Sequence, residues 1–302
     1  MKLIIGILSA TFVVLNTALN CIPLYLAGIV RGLLHLLGLR TAARWIANHM
    51  DWIIESWVGA NRQMFRALHL TRIEIDWIDC ESLSRDDWYM VISNHQSWTD
   101  IVVLQVALHR HIPPIKFFTK AQLIWIPLLG IAMWLLGFPY VRRLSKAQIE
   151  ASPELLELDR KATLQSCEGF RAKPTTVLNF LEGTRFTPSK HGAQQARYRT
   201  LLNPKTGGFT YVVAALEREL HQVLDVTIEY PHGIPTFWDF MTGNCPQVRL
   251  RVERLEIPAE IRDAESLEEK RPRLQAWIDS LWQAKDARLI AGGRLTQFAA
   301  AD

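Results

Sequence analysis

The N-terminal stretch constrains the fold of this chain most, because residues 3–30 contain no charged side chain. A helix rises about 1.5 Å per residue, so one of this length exceeds the roughly 30 Å hydrocarbon core of a bilayer. Polar residues and a proline interrupt the stretch at Asn16, Asn20 and Pro23. Two arrangements are therefore open: one tilted span, or two apolar arms, residues 3–19 and 24–39, inserted in one leaflet.

The charges around this stretch suggest an orientation for the membrane anchor, which we predict to be residues 1–40. Lys2 precedes the apolar run, whereas Arg31, Arg40 and Arg44 follow it. If the anchor spans the bilayer, this excess of basic residues places the rest of the chain in the cytoplasm. A cleaved signal peptide is disfavoured, because the apolar run is long and no A-x-A site closes it.

The composition excludes some classes of partner. The balance of 34 basic and 30 acidic residues is too even for a nucleic-acid-binding protein. The 11 tryptophans fit a protein on an anionic membrane surface, and equally a soluble enzyme with a Trp-rich core. Four cysteines lie far apart without CxxC pairs, and His109 and His111 lack a nearby third ligand. We therefore predict neither a disulfide framework nor a metal site.

The apolar pattern changes after the anchor. Residues 41–70 have helical periodicity with few acids, which predicts an amphipathic helix on the membrane surface or a helix that faces the core. Strands are predicted at residues 72–77, 88–92, 115–119, 138–143, 175–181, 223–230 and 248–257, the last at a sheet edge. Helices are predicted at residues 120–137 (buried or facing the membrane), 145–171, 206–220 and 264–288. The alternation indicates an α/β sheet covered by helices, in one catalytic domain over residues 71–290 with a flexible tail at 291–302.

A histidine and an aspartate stand five residues apart where a predicted strand ends. If His95 lies in the loop and Asp100 in the first turn of the next helix, the carboxylate can hold one imidazole nitrogen and make the other a base. The helix dipole also favours an acid there. The chain has no G-x-S-x-G nucleophile motif. The pair would therefore activate a hydroxyl of the substrate.

Basic residues follow several other strands. The sequence Glu182-Gly183-Thr184-Arg185 comes after a buried strand, where α/β sheets place ligand loops. Gly183 permits close backbone approach, and Arg185 can bind a phosphate through two hydrogen bonds. Arg142 and Arg143 end another strand, and Lys120 opens the apolar segment. Residues 205–208 (KTGG) resemble a further anion-binding turn before a helix.

These motifs resemble those of the glycerolipid acyltransferases, the 1-acylglycerol-3-phosphate acyltransferase family. Residues 94–100 (NHQSWTD) resemble the family's N-H-x-x-x-x-D motif, and residues 180–185 (FLEGTR) its F-x-E-G-T-R motif. The family's second block is matched by Lys120, Pro127, Gly130, Gly137 and Arg143.

The chain departs from the family pattern in two places. Arg142 stands where an acid is common beside the arginine matched by Arg143, and residues 225–228 (DVTI) lack the proline of a V-P-V-like strand. Residues 202–209 and 225–230 are more similar to the lysocardiolipin acyltransferase branch and to related bacterial inner-membrane proteins. The resemblance covers residues 70–240.

The resemblance implies a mixed central sheet flanked by helices, with an N-terminal membrane-embedded helical element. It also implies acyl transfer from acyl-CoA or acyl carrier protein to the sn-2 hydroxyl of 1-acylglycerol 3-phosphate, without a metal or cofactor. The expected place is a bacterial inner membrane, with the active site facing the cytoplasm.

The resemblance further assigns roles to residues. His95 would be the base and Asp100 its orienting partner. The acceptor's phosphate would be bound by Arg185, Arg143 and Lys120. The remaining residues would shape the site: Glu182, with Gly183 and Thr184, positions the glycerol or the loop itself, and Asn94 holds the histidine loop.

Three other functions remain open at this point. The acceptor can be another lysophospholipid, such as lysophosphatidylglycerol or lysocardiolipin. Water can replace the alcohol, which would make the chain a membrane-bound thioester hydrolase. The chain can also be an inactive acyltransferase that now serves as a membrane-binding or scaffold protein, although the intact His95 and Asp100 argue against this.

Overall fold

The computed structural model describes residues 1–141 and 154–292 of the chain. The helices are α1 Lys2–Leu36, α2 Arg40–His49, α3 Trp52–Ala67, α4 Thr99–Leu108, α5 Leu129–Leu135, α6 Glu154–Glu168, α7 Pro188–Ala193, α8 Gly207–Ala215, α9 Phe237–Met241, α10 Ala259–Arg262 and α11 Leu267–Ala291. The strands are β1 Arg72–Ile78, β2 Trp88–Ser93, β3 Ile115–Phe117, β4 Thr119–Lys120, β5 Tyr140–Val141, β6 Thr176–Phe180, β7 Leu220–Glu229 and β8 Gln247–Glu256. Two 3-10 turns, Ala121–Trp125 and Gly169–Ala172, complete the set.

The central sheet is mixed, as the sequence predicts. Within the described residues its strand order is β1-β8-β7-β2-β6-β3; β7 and β8 are antiparallel and the other neighbours are parallel. Helices α3 and α4 cover one face, and α6, α8 and α11 pack on the other. Because β7, β2 and β6 are adjacent and parallel, the loops after all three meet at one edge of the sheet.

The prediction that residues 248–257 form an edge strand is wrong. Strand β8 lies between β1 and β7. Its alternating charges face solvent on one side of the sheet, where Arg251 pairs with Asp76 of β1 at 3.1 Å. The residues between them, such as Leu250, are buried on the other side. Alternation therefore marks one solvated face of an interior strand.

Two predicted helices are each divided in the structure. Residues 41–70 form α2 and α3, separated at Asp51, whose carboxylate pairs with Lys173 at 2.8 Å and Lys116 at 3.3 Å. Burial lowers the pKa of Lys116, whereas Asp51 opposes the shift. Residues 120–137 contain a 3-10 turn and the short helix α5, because Leu128, which follows Pro127, has φ +63° and so interrupts the helical backbone.

The predicted arginine pair, Arg142 and Arg143, lies outside the described residues, as does the rest of the segment 142–153. Of the strand predicted at residues 138–143, the structure describes Tyr140–Val141. The predicted flexible tail lies outside the described residues from 293 onward.

The predicted N-terminal anchor forms one continuous helix, so the two separate arms are not formed. Helix α1 has 35 residues and continues through Pro23. By length and composition it is the helix among the described residues that is able to cross a membrane. One face docks on the rest of the chain: Lys2 Nζ donates to Asn244 (2.7 Å), Ser9 Oγ to the Met241 carbonyl (2.7 Å), and Asn16 Nδ2 to the Trp57 carbonyl (3.0 Å).

A buried ion pair joins α11 to the sheet. Lys285 is fully buried, lies 2.6 Å from Asp225 Oδ1 and donates to the Val226 carbonyl at 2.6 Å. Burial lowers the pKa of Lys285, while Asp225 holds it up. The pair occupies the strand in which the family pattern has a proline.

We predict that Lys285→Ala lowers the free energy of unfolding by about 3–5 kcal/mol, because it leaves the Asp225 carboxylate buried. Arg288→Ala is the matched control: Arg288 lies 3.7 Å from the same carboxylate but is partly exposed, so its loss should cost under about 1 kcal/mol. Denaturant unfolding in detergent measures both. Equal effects of the two substitutions would contradict this account.

Candidate active site

His95 lies in the loop that follows β2, at the edge where three strand ends meet. Its Nδ1 is 2.8 Å from Asp100 Oδ2, and its ring stacks on Phe180 with centroids 3.9 Å apart. The side chain is mostly buried. The nitrogen that Asp100 does not hold, Nε2, is therefore the one available to a substrate.

The Asp100 carboxylate organises the whole loop. It is fully buried at the second position of α4. Its Oδ2 accepts from His95 Nδ1 and from the backbone N–H groups of Gln96 (2.6 Å) and Ser97 (3.0 Å). The spacing of five residues thus arises because the loop wraps around the carboxylate before the helix begins.

Tyr230, just beyond the end of β7, completes this arrangement and was not predicted as a site residue. Its hydroxyl donates to Asp100 Oδ1 at 2.6 Å and accepts from Thr99 Oγ1 at 2.8 Å. Burial and the neighbouring Asp100 raise the pKa of Tyr230 well above its ordinary value, so the hydroxyl keeps its proton. The only sequence signal was its position at the end of a buried strand.

Asn94 continues the pairing of β2 with β7 by means of its side chain. The fully buried amide accepts from the Ile228 N–H at 2.8 Å and donates to the Ile228 carbonyl at 3.0 Å. Gln96 Nε2 donates to the same carbonyl at 3.2 Å. Asn94 therefore fixes the start of the histidine loop and faces the protein interior.

Glu182 lies inside the protein and links two loops. Its Oε1 accepts from the His95 N–H at 2.8 Å, and its Oε2 accepts from the Leu202 N–H at 3.0 Å. A further backbone bond runs from the Phe186 N–H to the His95 carbonyl at 2.7 Å. Of the two roles expected for Glu182, this geometry fits the positioning of the loop.

Several cations surround the turn at residues 182–185. The Arg185 guanidinium lies over the exposed ring of Trp98, 4.5 Å from its centroid. Lys190 Nζ donates to Thr184 Oγ1 (2.9 Å) and to the Arg185 carbonyl (3.0 Å). The Lys190 contacts were not predicted.

Lys205 is a further cation at this turn. Gly183 has φ +67°, and a Cβ added to it would lie 3.2 Å from Lys205 Cδ. The left-handed backbone conformation favours glycine at this position, and the Lys205 side chain lies close to it. The sequence had marked residues 205–208 as an anion-binding turn without assigning them to the site.

Lys120 and Arg143 are the other residues that were predicted to bind the phosphate. Lys120 is exposed in β4, where it pairs with Val141 of β5. Arg143 itself lies outside the described residues.

The serines of the histidine loop are engaged in other bonds. Ser97 Oγ donates to the Pro235 carbonyl at 2.6 Å, and Ser93 Oγ donates to the Asn94 carbonyl at 3.0 Å. In residues 1–141 and 154–292, no group of three or more His, Cys, Asp or Glu side chains could hold a metal ion. The chemistry that the described residues offer is therefore proton transfer by His95 beside a turn surrounded by cations.

An apolar cavity of about 470 Å³ lies against α4, the helix that contains Asp100. Its walls come from α1, α3, α4 and the segment around α5. Ile101 and Val102, which line it, directly follow Asp100 in α4. Most of the residues that line the cavity are apolar, as the binding of a fatty chain requires.

The sequence has relatives among curated proteins. It is 26% identical to lysocardiolipin acyltransferase 1 of Mus musculus over 82% of this chain and 63% of that protein. It is also 26% identical to the probable 1-acyl-sn-glycerol-3-phosphate acyltransferase 5 of Arabidopsis thaliana, over 80% of this chain and 62% of that protein. The chain thus spans less than two thirds of the length of these relatives.

The fold is similar to a solved structure. The 1-acyl-sn-glycerophosphate (LPA) acyltransferase PlsC from Thermotoga maritima superposes with a TM-score of 0.54 at 17% identity, over 96% of this chain and 98% of that one.

The Acyltransferase family model matches residues 74–231, just over half of the chain, and includes His95, Asp100 and the turn at 182–185. The chain belongs to the glycerolipid acyltransferase family.

Proposed function

We propose that this chain transfers a fatty acyl group from acyl-CoA or acyl carrier protein to the sn-2 hydroxyl of 1-acylglycerol 3-phosphate, which gives phosphatidic acid. The observation that carries the proposal is the His95–Asp100 pair, held 2.8 Å apart beside a turn rich in cations. The names of the relatives include acyltransferases for this acceptor.

The chemistry is direct transfer between two substrates. His95 Nε2 takes the proton of the acceptor hydroxyl as its oxygen attacks the carbonyl carbon of the thioester. The carbon–sulfur bond then breaks, and the imidazolium returns the proton to the departing thiolate. Asp100 stabilises the imidazolium from the Nδ1 side.

Two features of the loop favour an acceptor hydroxyl over a nucleophile of the enzyme. Ser97 and Ser93 donate their hydroxyl protons to carbonyl groups. The base therefore has no serine of its own loop to activate, and no covalent intermediate is needed.

Arg185 is the proposed ligand of the acceptor's phosphate. The Trp98 ring holds one face of the guanidinium and leaves its N–H edge for a bidentate bond. We propose Lys120 and Arg143 as further ligands, on the resemblance alone. No metal or cofactor takes part in this scheme.

The apolar cavity is the proposed site for an acyl chain. Its wall includes Ile101 and Val102, which directly follow Asp100 in α4, so we propose that a chain held there directs its carbonyl end toward His95. Helix α1 forms one wall, through residues such as Leu24. This arrangement supports entry of lipid from the membrane side.

We place the chain in a bacterial inner membrane with its site toward the cytoplasm. Contacts between α1 and the catalytic domain extend from Lys2 to Gly28, where Leu135 packs. If α1 crossed the bilayer upright, the elements that are docked along it would also have to enter the bilayer. This supports a helix that lies along one leaflet, with its outer apolar face in lipid.

A second acceptor class has a specific observation in its favour. Lys205 and Lys190 add two cations to the turn that carries Arg185. An acceptor with two phosphates, such as lysocardiolipin, would use more of this charge than 1-acylglycerol 3-phosphate does. Lysophosphatidylglycerol is a third candidate.

A panel of acceptors with one labelled acyl-CoA tests the proposal. We predict the highest kcat/KM for 1-acylglycerol 3-phosphate, and a rise of about tenfold or more in its KM in Arg185→Ala, because a bidentate phosphate bond is lost. The KM for acyl-CoA should change little. Arg197→Ala, which removes an exposed arginine paired with Asp279, is the control and should match wild type.

Other results of the panel would reject the proposal. A higher kcat/KM for lysocardiolipin would show that the acceptor belongs to the second class, with two phosphates. A larger effect of Arg185→Ala on the donor's KM than on the acceptor's would assign this arginine to the thioester carrier.

We also predict that Tyr230→Phe lowers kcat by about tenfold with little change in KM, because Asp100 loses a strong hydrogen bond and His95 is held less firmly. Tyr198→Phe is the control, since it also removes a tyrosine hydroxyl that contacts a carboxylate, that of Asp279. A wild-type kcat in Tyr230→Phe would remove this residue from the mechanism.

A further inference from the structure

Between β4 and β5 the chain forms an apolar projection, residues 121–135, which we call the aromatic tip. It contains no charged residue, yet many of its large side chains are exposed. Trp125 is 85% exposed and Trp134 62%. Single exposed apolar side chains are ordinary, whereas a concentration of them marks a contact surface. The others are Ile126, Leu128, Leu129 and Ile131.

Several backbone groups of the tip form hydrogen bonds within it or with Tyr140. The Ile126 N–H donates to the Leu123 carbonyl at 3.1 Å, and the Gly130 N–H to the Ile126 carbonyl at 2.9 Å. Tyr140 supplies its hydroxyl to the Gly130 carbonyl at 2.8 Å. A Cβ on Gly130 would lie 2.1 Å from the Ile124 carbonyl oxygen, so glycine permits this tight turn. Such a folded segment can enter an environment that offers no hydrogen bonds.

The tip continues the apolar surface of α1. The Tyr25 hydroxyl donates to the Leu128 carbonyl. One turn further along α1, Gly28 packs so closely on Leu135 that an added Cβ would lie 2.9 Å from its Cδ1. Outward-facing α1 residues near these contacts, Leu26 and Ile29, are also exposed. One lipid-facing surface can therefore include both elements.

We propose that the aromatic tip inserts into the bilayer as a second membrane anchor, separate from α1. Its uncharged composition and its two exposed tryptophans suit the lipid interface, where the indole ring is favoured. Helix α5 has seven residues and is too short to cross. Pro127, Leu128 and Leu129 also line the apolar cavity, so insertion brings one wall of the cavity to the lipid. The alternative is that a second copy of the chain covers this apolar surface.

Photolabelling of the wild-type full chain tests the proposal without reference to its activity. Vesicles of phosphatidylcholine and phosphatidylglycerol carry a phospholipid with a diazirine in its acyl chain. After irradiation, mass spectrometry should find lipid adducts on the peptide of residues 121–135 and on α1, but not on α11. Helix α11 is the internal control, because it packs on the opposite face of the sheet.

Charge substitutions supply the second measurement. In vesicle flotation, the double variant Trp125→Glu/Trp134→Glu should lose about tenfold or more of its lipid partition, because two charges must leave water. Gln283→Glu/Ala284→Glu adds the same charge at two exposed positions of α11 and should float like wild type. Lipid adducts on α1 without adducts on residues 121–135 would overturn the proposal, as would equal partition of the two variants. Crosslinks from the tip to a second copy in place of lipid would also overturn it.

Discussion

The buried carboxylate of Asp100 is the group on which the rest of the site depends. It accepts hydrogen bonds from His95, from two backbone N–H groups of the loop after β2, and from Tyr230 after β7. Tyr230 is 130 residues away from Asp100 in the sequence. They meet because β2 and β7 are parallel neighbours, so that their loops leave the sheet at the same edge. Asn94 and Glu182 then fasten the histidine loop to the strands on either side.

The site joins a polar edge of the sheet to an apolar cavity. On the polar side, Arg185, Lys190 and Lys205 surround one turn. On the apolar side, the first turns of α4 lead from Asp100 into the cavity bounded by α1. An amphipathic substrate with a phosphate, a hydroxyl and a fatty chain matches this order of environments. The docked α1 and the aromatic tip place the apolar side toward lipid in our proposal.

The sequence predicted much of the fold and the central pair, but not the contacts that depend on strand order. The spacing of His95 and Asp100 and the strand before them were local signals. By contrast, the Tyr230 hydroxyl and the Lys285–Asp225 pair join segments far apart in sequence, and no periodicity indicates such partners. The interior position of β8 was also missed. Its alternating charges indicate that one face of the strand is solvated, but they do not indicate where the strand lies in the sheet.

In our proposal His95 deprotonates an acceptor alcohol, which takes the acyl group directly from the thioester, and thiol release measures this most directly. The wild-type chain is incubated with acyl-CoA in the presence and absence of 1-acylglycerol 3-phosphate. Our account predicts thiol release that requires the acceptor, equals phosphatidic acid formed, and falls by at least about 10³-fold in His95→Ala, while membrane association is unchanged. Thiol release at the same rate without the acceptor would contradict direct transfer and indicate a hydrolase, and full activity in His95→Ala would remove His95 as the base.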